Sequence, residues 1–223
     1  MAREKALLRA IGLGRTYGRL KALEDFSVRL AAGECVALMG PNGSGKTTAI
    51  TMICGLIEPT SGKVLVDGHS VHTEPEAELA RAIFSYAPDE PVLYDDLSCR
   101  QHLEFVAIAH GAGGDGLEER IDATLERWGL GDRGDFVPSE LSRGMRQKLQ
   151  LACATLRPFG VLILDEPVVG LDSASVRTLV ELIQQTKADG GAVLISTHQP
   201  EFAAEVADRT IRLEEGRVVR SAT

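Results

Sequence analysis

The chain has 223 residues, of which 44% are hydrophobic and 25% are charged, and its net charge is −8. This length and composition are typical of one folded domain, with or without an inserted subdomain, and they exclude extensive disorder. The acidic balance argues against nonspecific nucleic-acid binding, and no apolar run reaches the ~18 residues of a membrane-spanning helix. We therefore expect a cytosolic protein without a signal peptide, whose role at a membrane would depend on a separate partner.

The four cysteines have neither paired metal-ligand spacing nor a C-x-x-C motif; they are Cys35, Cys54, Cys99 and Cys153. Three of them lie in apolar segments, where a reduced cysteine packs as a small hydrophobic residue. We therefore expect reduced cysteines without a metal or redox role.

The first 70 residues contain short apolar runs separated by turn residues, which is typical of β-strands. Strands are predicted over residues 6–13, 26–30, 35–39 and 63–68. Residues 48–56 instead carry apolar residues at helical spacing. Apart from the strand over 35–39, this region should form antiparallel β-structure.

The middle of the chain is predicted to be mainly helical. A short helix over 74–81 and a buried strand over 82–87 come first. Ser98 is a plausible N-cap for the next helix. The helices of this segment are expected over 100–110, over 117–128 and from Ser142 onward.

The last part of the chain alternates apolar strands with helices. Strands are predicted over 160–165, 192–197, 210–213 and 217–220, and helices over 173–188 and 201–208. Buried strands that alternate with helices indicate a parallel sheet covered on both faces. The expected fold class is therefore α/β, with a mostly parallel core sheet, an N-terminal antiparallel β subdomain and an inserted helical subdomain. We expect one domain over residues 1–223, with a core of 1–88 and 157–223 and an insertion at about 89–156.

A phosphate-binding loop pattern, G-x-x-x-x-G-K-[ST], lies between the strand over 35–39 and the following helix. Its residues are Gly40, Pro41, Asn42, Gly43, Ser44, Gly45, Lys46 and Thr47, followed by Thr48. Glycines let the backbone wrap closely around a phosphate, and the helix start offers N–H groups and a positive dipole end. Lys46 can reach the terminal phosphates, and the Thr47 hydroxyl can ligate Mg²⁺. Because strand, loop and helix agree, the pattern predicts a nucleotide site, which kinases, GTPases and motor ATPases share.

Two acids follow directly after the apolar run Val161–Leu164, at the edge where open α/β sheets bind ligands. Asp165 would hold Mg²⁺ through water, and Glu166 could orient or deprotonate an attacking water molecule. Taken alone, the pair could also be solvated acids at a strand end; the phosphate loop favours the catalytic interpretation.

With the run Leu141-Ser142-Arg143-Gly144-Met145, the chain resembles the nucleotide-binding subunit of an ATP-binding-cassette (ABC) transporter. The resemblance covers nearly the whole chain in the right order. Residues 40–47 match the Walker A motif, 161–166 match Walker B with its catalytic glutamate, and 141–145 match the L-S-G-G-Q signature. Asp172 in Gly170-Leu171-Asp172 is similar to the D-loop, and His198 is similar to the switch histidine. Tyr17 lies where the family keeps an aromatic residue that stacks on adenine.

The resemblance implies a shared site, in which two domains sandwich two ATP molecules head to tail. Ser142 and the Gly144 N–H would contact the ATP of the other subunit, and Asp172 would link the subunits. The implied dimer interface comprises Leu141, Ser142, Arg143, Gly144, Met145 and Asp172. His198 would contact the γ-phosphate and keep Glu166 and the water in line. On the residues alone, His198 could instead cap a helix and Tyr17 could be ordinary packing.

The chain departs from the family pattern at two places. Arg143 and Met145 replace the first glycine and the glutamine of the signature, whereas the anion contacts Ser142 and Gly144 are kept. Asp89 stands at the Q-loop position, where the family usually has glutamine. Asp89 is expected to approach Mg²⁺ or water while adding negative charge near the phosphates, which affects the timing of hydrolysis rather than ATP binding.

The run from Asp89 to Leu97 and the signature segment look most similar to ATPases of ABC-2-type exporters. The implied function is ATP hydrolysis, with ATP and Mg²⁺, that powers an integral membrane permease, with export favoured over import. The subunit would lie at the cytoplasmic face of the membrane through that permease, pair with an identical or different ATPase subunit and bind no nucleic acid.

Three other functions are open to a chain with a phosphate-binding loop. A soluble ABC protein of DNA repair or ribosomes would carry coiled coils, zinc insertions or tandem cassettes, none of which the sequence contains. Asp89 leaves open a regulatory partner that binds ATP with little turnover, although Glu166 and His198 argue against it. A phosphoryl-transferring kinase would not need the signature.

Overall fold

The computed structural model describes residues 6–222. Its strands are β1 (Ala6–Tyr17), β2 (Leu20–Ala31), β3 (Cys35–Met39), β4 (Ser61–Val66), β5 (His69–Ser70), β6 (Phe84–Ala87), β7 (Val161–Asp165), β8 (Ala192–Thr197), β9 (Arg209–Glu214) and β10 (Arg217–Ala222). Its α-helices are α1 (Lys46–Ile53), α2 (Glu76–Ile83), α3 (Cys99–Ala109), α4 (Leu117–Arg127), α5 (Arg143–Thr155), α6 (Ser173–Ala188) and α7 (Pro200–Val206). Two short 3₁₀ helices, Gly131–Arg133 and Pro138–Glu140, lie in the predicted helical segment. The predicted α/β fold class is thereby confirmed.

The described chain forms two compact units. The core unit comprises the described residues up to Tyr86, Phe159–Glu166 and the residues from Ile183 onward, and the helical unit comprises Ala87–Pro158 and Pro167–Leu182. The helical unit thus also contains Pro167–Leu182, which the sequence placed in the core. The predicted domain boundaries, with a helical subdomain inserted at about 89–156, stay a prediction.

Strand β1 is longer than predicted because its pairing with β2 continues through a bulge. The β1–β2 register shifts between Ala10 and Leu13, and the pairing then reaches Tyr17 opposite Leu20. Gly12 has a φ of 60°, a left-handed conformation that suits glycine. Such a bulge interrupts the alternation of buried and exposed residues on which the sequence prediction depended. Strands β1, β2, β4 and β5 form the predicted antiparallel sheet, in the order β2-β1-β4-β5.

The second sheet of the core unit has the strand order β10-β9-β3-β8-β7-β6. Strand β3 runs parallel to β8 and β9, and β7 runs parallel to β8, whereas β10 is antiparallel to β9. Asp165 at the end of β7 pairs with Ser196 of β8, and Met39 at the end of β3 pairs with Thr197. The carboxyl ends of β3, β7 and β8 therefore meet at one edge of this sheet.

The core unit buries a continuous set of apolar side chains between its strands and α1. This set includes Phe26, Leu38, Ile50, Met52, Ile163 and Leu194, all with no exposed area. All four cysteines are free and buried, as expected of small hydrophobic residues. Burial raises the pKa of the Cys35 and Cys153 thiols to about 12, so both remain uncharged at neutral pH.

The helical unit packs α3, α4 and α5 against one another. The buried side chains of this unit include Leu103, Ile121, Leu125, Trp128 and Leu149. The predicted N-cap of α3 is confirmed: the Ser98 hydroxyl accepts the Gln101 N–H at 3.3 Å, and the Gln101 side chain accepts the Ser98 N–H at 2.9 Å. This reciprocal capping box fixes the start of α3. None of the helices described between residues 6 and 222 has the length and hydrophobicity required to cross a bilayer.

Replacing the Ser98 cap should weaken the helical unit measurably. We expect Ser98→Ala to lower the free energy of unfolding by about 1 kcal/mol, because the Gln101 N–H loses the hydroxyl to which it donates. Trp128 is buried and is the chain's only tryptophan, so urea unfolding followed by its fluorescence reports on this unit. Ser139→Ala, at an exposed serine, is the matched control and should have no resolvable effect. Equal losses in both variants would contradict the capping interpretation.

Candidate functional site

The phosphate-loop pattern forms a tight backbone loop between β3 and α1. Gly43 and Gly45 have φ values of 79° and 103°, in the region that favours glycine. A Cβ atom on Gly45 would lie 2.8 Å from the Ala22 carbonyl oxygen, and one on Gly40 would clash with the Leu213 carbonyl oxygen. The loop therefore packs backbone against backbone at the start of α1, where no side chain caps the first N–H groups, and such a helix start is suited to an anion.

Lys46, the first residue of α1, places its side-chain nitrogen inside the loop. Its side chain is only 5% exposed, and its ammonium donates to the carbonyl oxygens of Gly40 at 2.8 Å and Pro41 at 3.3 Å. The buried Ser44 hydroxyl has no hydrogen-bond partner among the described residues. A buried cation and an unpaired hydroxyl in one loop fit a phosphate ligand, which needs donors at short range.

Asp165, at the end of β7, is almost fully buried. Its Oδ1 accepts a short hydrogen bond from the Ser196 hydroxyl, and the Thr47 hydroxyl also hydrogen-bonds to its carboxylate. Burial, with the neighbouring Glu166 charge, raises the pKa of Asp165, although the two hydroxyl bonds and Lys46 act in the opposite direction. The other oxygen, Oδ2, is buried without a partner among the described residues.

Glu166 is held by contacts on both carboxylate oxygens. Its Oε1 lies 3.3 Å from the Lys46 ammonium, and its Oε2 accepts the His198 N–H at 3.3 Å and lies 2.9 Å from His198 Nδ1. The Glu166 N–H donates to the Ser196 hydroxyl at 3.0 Å. Its φ of 46° is left-handed, a conformation that costs a non-glycine residue about 1–3 kcal/mol and that clusters at functional sites.

The residues at this sheet edge fit a magnesium ion. Thr47 and the unpaired oxygen of Asp165 are hard oxygen donors, and Mg²⁺ usually takes one or two carboxylates and completes its shell with water and phosphate oxygens. No group of three or more His, Cys, Asp or Glu side chains suited to a metal occurs within residues 6–222. These donors are too few to enclose a metal ion by themselves, and they suit an ion that is bound together with a phosphate ligand.

Tyr17, the last residue of β1, is half-exposed, and the Arg15 guanidinium lies 4.6 Å from its ring centroid. The hairpin that carries Tyr17 continues to Ala22, whose carbonyl lies against Gly45 of the phosphate loop.

Asp89 follows β6 in the segment assigned to the helical unit. The adenine contact of Tyr17 and the metal contact of Asp89 stay predictions.

The signature segment forms the start of α5, in the helical unit. Ser142 is the N-cap, and its hydroxyl accepts the Met145 N–H at 3.3 Å. Leu141 is buried, whereas Ser142 and Arg143 are exposed. A Cβ atom on Gly144 would lie 2.5 Å from the Gly170 carbonyl oxygen, so the signature packs directly on the segment that resembles the D-loop.

Asp172 makes contacts within the chain that the sequence analysis missed. One carboxylate oxygen lies 2.7 Å from the Lys148 ammonium, and the other accepts the Ser175 N–H at 2.8 Å and the Ser175 hydroxyl at 3.0 Å. The Lys148 bond, followed by the Ser175 bonds, holds the pKa of Asp172 well below its usual range. The predicted link of Asp172 to a second subunit stays a prediction.

Ser196 is the other residue that sequence reasoning missed. It is a buried hydroxyl inside the apolar strand β8 and contacts both acids of the site. A signal was present, because a polar residue in a buried strand requires a partner. Only the β7–β8 register identifies that partner as the acid pair.

The family model described as "ABC transporter" matches residues 23–169. Among curated proteins, the chain is 35% identical over 213 residues to the ABC-type transporter ATP-binding protein EcsA of Bacillus subtilis (strain 168), covering 96% of this chain and 85% of that protein. It is 33% identical over 215 residues to the SkfA peptide export ATP-binding protein SkfE of the same organism, covering 96% of this chain and 88% of SkfE.

Solved structures give the same result. One described as the ATP-binding subunit of an ABC transporter has a TM-score of 0.91 at 36% identity and covers 97% of this chain and 90% of its own. A dimeric post-hydrolysis structure of the ATP-binding cassette MJ0796, bound to ADP and Pi, has a TM-score of 0.89 at 25% identity. The match covers 97% of this chain and 98% of the MJ0796 chain. The chain therefore belongs to the ABC transporter family, as an ATP-binding and ATP-hydrolysing subunit that energises transport.

Proposed function

We propose that this chain is the ATPase subunit of an exporter, which hydrolyses ATP in a site shared by two cassettes and drives a separate membrane permease. The observation that carries this proposal is the position of Glu166, which contacts both Lys46 of the phosphate loop and His198. The Glu166 carboxylate thereby connects Lys46, which would bind the terminal phosphates, with His198 at the end of the adjacent strand β8. Such a carboxylate is placed to act on a water molecule beside the γ-phosphate.

Binding of the triphosphate would use groups that the loop already aims inward. The N–H groups at the start of α1 and the Ser44 hydroxyl would donate to phosphate oxygens, and Lys46 would exchange its carbonyl contacts for them. Thr47 and Asp165 would hold Mg²⁺, which supplies neutralisation of the charge on the β- and γ-phosphates. Tyr17 would stack on the adenine, with Arg15 on its ring.

Hydrolysis would depend on Glu166 and His198 acting by position. The Glu166 carboxylate would accept a hydrogen bond from the attacking water and keep it in line with the γ-phosphate. His198 would keep that carboxylate oriented through the contact at Oε2 and would reach the γ-phosphate with its half-exposed ring. The left-handed backbone at Glu166 supports a fixed orientation, because such strain persists where the surroundings impose it.

The second half of each site would come from a second cassette. Ser142 and Arg143 are exposed at the start of α5, where a hydroxyl, helix N–H groups and a positive charge can face a partner's phosphates. The structure of MJ0796 that resembles this chain is dimeric, which supports the same assembly here. Leu141, Gly144, Met145 and Asp172 would complete the interface, and Asp89 would modulate hydrolysis from the Q-loop position.

Export is supported by the printed names of several relatives. They include SkfE, named for SkfA peptide export; MacB of Paracoccus denitrificans (strain Pd 1222), named for macrolide export; and DrrA3 of Streptomyces coeruleorubidus, named for daunorubicin resistance. This chain covers 33% of MacB, which is named as an ATP-binding and permease protein. In our proposal, a permease supplies the membrane part for this chain and places it at the cytoplasmic face.

An exposed apolar patch in the helical unit is the proposed permease surface; it consists of Val92, Tyr94, Phe105 and Ile108. The Tyr94 ring packs edge-on against Phe105, with centroids 5.2 Å apart. The Tyr94 N–H donates to His102 Nε2 at 2.9 Å, and His102 Nδ1 in turn donates to the Ser98 carbonyl at 2.8 Å. Burial lowers the pKa of His102, which favours the neutral ring that this arrangement needs. The patch is thus held rigid while its apolar area remains exposed, as expected of a docking site.

Removing the Glu166 charge should separate ATP binding from hydrolysis. We expect Glu166→Gln to lower turnover about 10²–10⁴-fold, because the amide cannot serve as a base, while ATP binding and ATP-dependent dimerisation persist. Turnover and dimerisation of the purified chain measure both effects, with exposed Glu181→Gln as the matched control. A variant that retains parental turnover would refute the role of Glu166. A parent without turnover, even with a co-purified membrane partner, would favour a regulatory ATP-binding subunit.

Adding one methyl group at Gly144 should damage the signature without touching the phosphate loop. Gly144→Ala forces a carbon to within 2.5 Å of the Gly170 carbonyl, a clash of the kind that costs about 1–3 kcal/mol. We expect weaker ATP-dependent dimerisation and turnover, with nucleotide affinity of the monomer unchanged. Gly113→Ala is the control, since its Cβ would meet only Ile108 at 3.8 Å. Unaltered dimerisation of Gly144→Ala would contradict the interface assignment.

Reversing charge beside the apolar patch should uncouple transport from ATP binding. Asp95 and Asp96 are exposed next to Tyr94, so Asp95→Lys with Asp96→Lys places two cations at the proposed permease surface. We expect loss of transport in vesicles that contain the permease, while ATP affinity is retained. The control makes the same charge change at exposed Asp115 and Asp135 of the same unit. Normal transport by the first variant would exclude this surface.

A further inference from the structure

Residues 91–97 carry Val92 and Tyr94 of the apolar patch, and they belong to no helix or strand. A backbone N–H outside regular structure must donate to a side chain or to water. Two buried side chains of the helical unit serve this segment: Gln150 of α5 accepts the Val92 N–H, and His102 of α3 accepts the Tyr94 N–H, both at 2.9 Å. The backbone of the patch is thereby attached to two different helices, while its side chains remain exposed.

Gln150 is a polar residue on a packed part of α5. Its side chain is 8% exposed, and the neighbouring Leu149 and Leu151 have no exposed area. Burying an amide costs free energy unless it forms hydrogen bonds, and an apolar residue at this position would avoid that cost. The amide of Gln150 is therefore explained by its bond to the Val92 N–H rather than by the packing of α5.

The same helix begins at the signature. Helix α5 runs from Arg143 to Thr155 with Ser142 as its N-cap, so Gln150 lies about 12 Å along the helix from the signature serine. In the proposed function, the ATP of a second cassette binds at Ser142, and one continuous helix carries a displacement of its first turn to position 150. We propose that Gln150 is a positioning residue that couples the signature to the permease surface by moving the Val92 backbone together with α5. This inference rests on the proposed exporter function and specifies how its nucleotide site acts on its permease surface.

His102 provides a fixed point against which this movement acts. It lies on α3, where its Nδ1 donates to the carbonyl of the N-cap Ser98 at 2.8 Å. Helix α3 contains no residue of the signature, so the Tyr94 backbone is attached to a helix that the ATP of the second cassette does not contact. A displacement of α5 against α3 therefore shifts Val92 relative to Tyr94, two residues away, and alters the shape of the patch.

Amide NMR of the full chain tests the inference, in the Glu166→Gln background that is expected to bind ATP and dimerise without turnover. We expect MgATP to shift the Val92 amide resonance, and Gln150→Met, which keeps the side-chain length but removes the acceptor, to remove most of that shift. Gln150→Glu retains an acceptor oxygen and should restore it. Without nucleotide, the Val92 amide should exchange about ten-fold faster in Gln150→Met, since one hydrogen bond is lost, while the Tyr94 amide is unchanged. Exposed Gln184→Met, on α6, is the matched control.

Transport in vesicles that contain the permease gives the functional readout. Gln150→Met should keep basal ATP turnover and lower transport about ten-fold, and Gln150→Glu should restore transport. A merely structural role would lower turnover and transport together, and Trp128 fluorescence verifies that each variant is folded.

Three results would overturn the inference: a nucleotide-dependent Val92 shift that Gln150→Met retains, parental transport by that variant, or no Val92 shift in the ATP-bound chain with Gln150 intact. The last result needs no Gln150 variant. Failure of the proposed function looks different, because it would appear as absent turnover in the parent or as normal transport after Asp95→Lys with Asp96→Lys.

Discussion

The parallel register of three strands is the constraint on which the site depends. Because β3, β7 and β8 run in the same direction, the phosphate loop, the acid pair and His198 all emerge at one sheet edge. The pairing of Asp165 with Ser196 then sets the local geometry, since the Ser196 hydroxyl contacts the carboxylate of one acid and the N–H of the next. A one-residue slip in this register would turn these side chains to the opposite face.

Electrostatics within the site follow from burial. Lys46, Asp165 and Glu166 are each less than a tenth exposed, so every charge needs a partner at short range. Lys46 and Glu166 form an ion pair, but Glu166 Oε1 and one oxygen of Asp165 are both buried and accept no hydrogen bond among the described residues. An arrangement of this kind stores unfavourable desolvation that a bound cation and phosphate can relieve, which ties ligand binding to the stability of the loop.

Much of the fold could be predicted from sequence because its signals are local. The apolar strands β3, β7 and β8, the Ser98 cap and the start of α6 at Ser173 each depend on a few neighbouring residues. The phosphate loop and the acids were found for the same reason. What could not be predicted depends on residues far apart in the chain: the β1–β2 bulge, the Ser196 contacts and the Lys148–Asp172 pair exist only once the tertiary structure sets their partners.

The close approach of Gly144 to the Gly170 carbonyl limits which amino-acid substitutions this part of the chain can accept. A Cβ atom on Gly144 would clash with the Gly170 carbonyl oxygen, whereas one on Gly170 would lie at an ordinary 3.9 Å from Gly144 Cα, so the constraint falls on Gly144. The Lys148–Asp172 pair adds a second tie between the same stretches. Any residue larger than glycine at position 144 therefore requires the backbone at Gly170 to move, so the segment around Asp172 limits which substitutions the signature can accept.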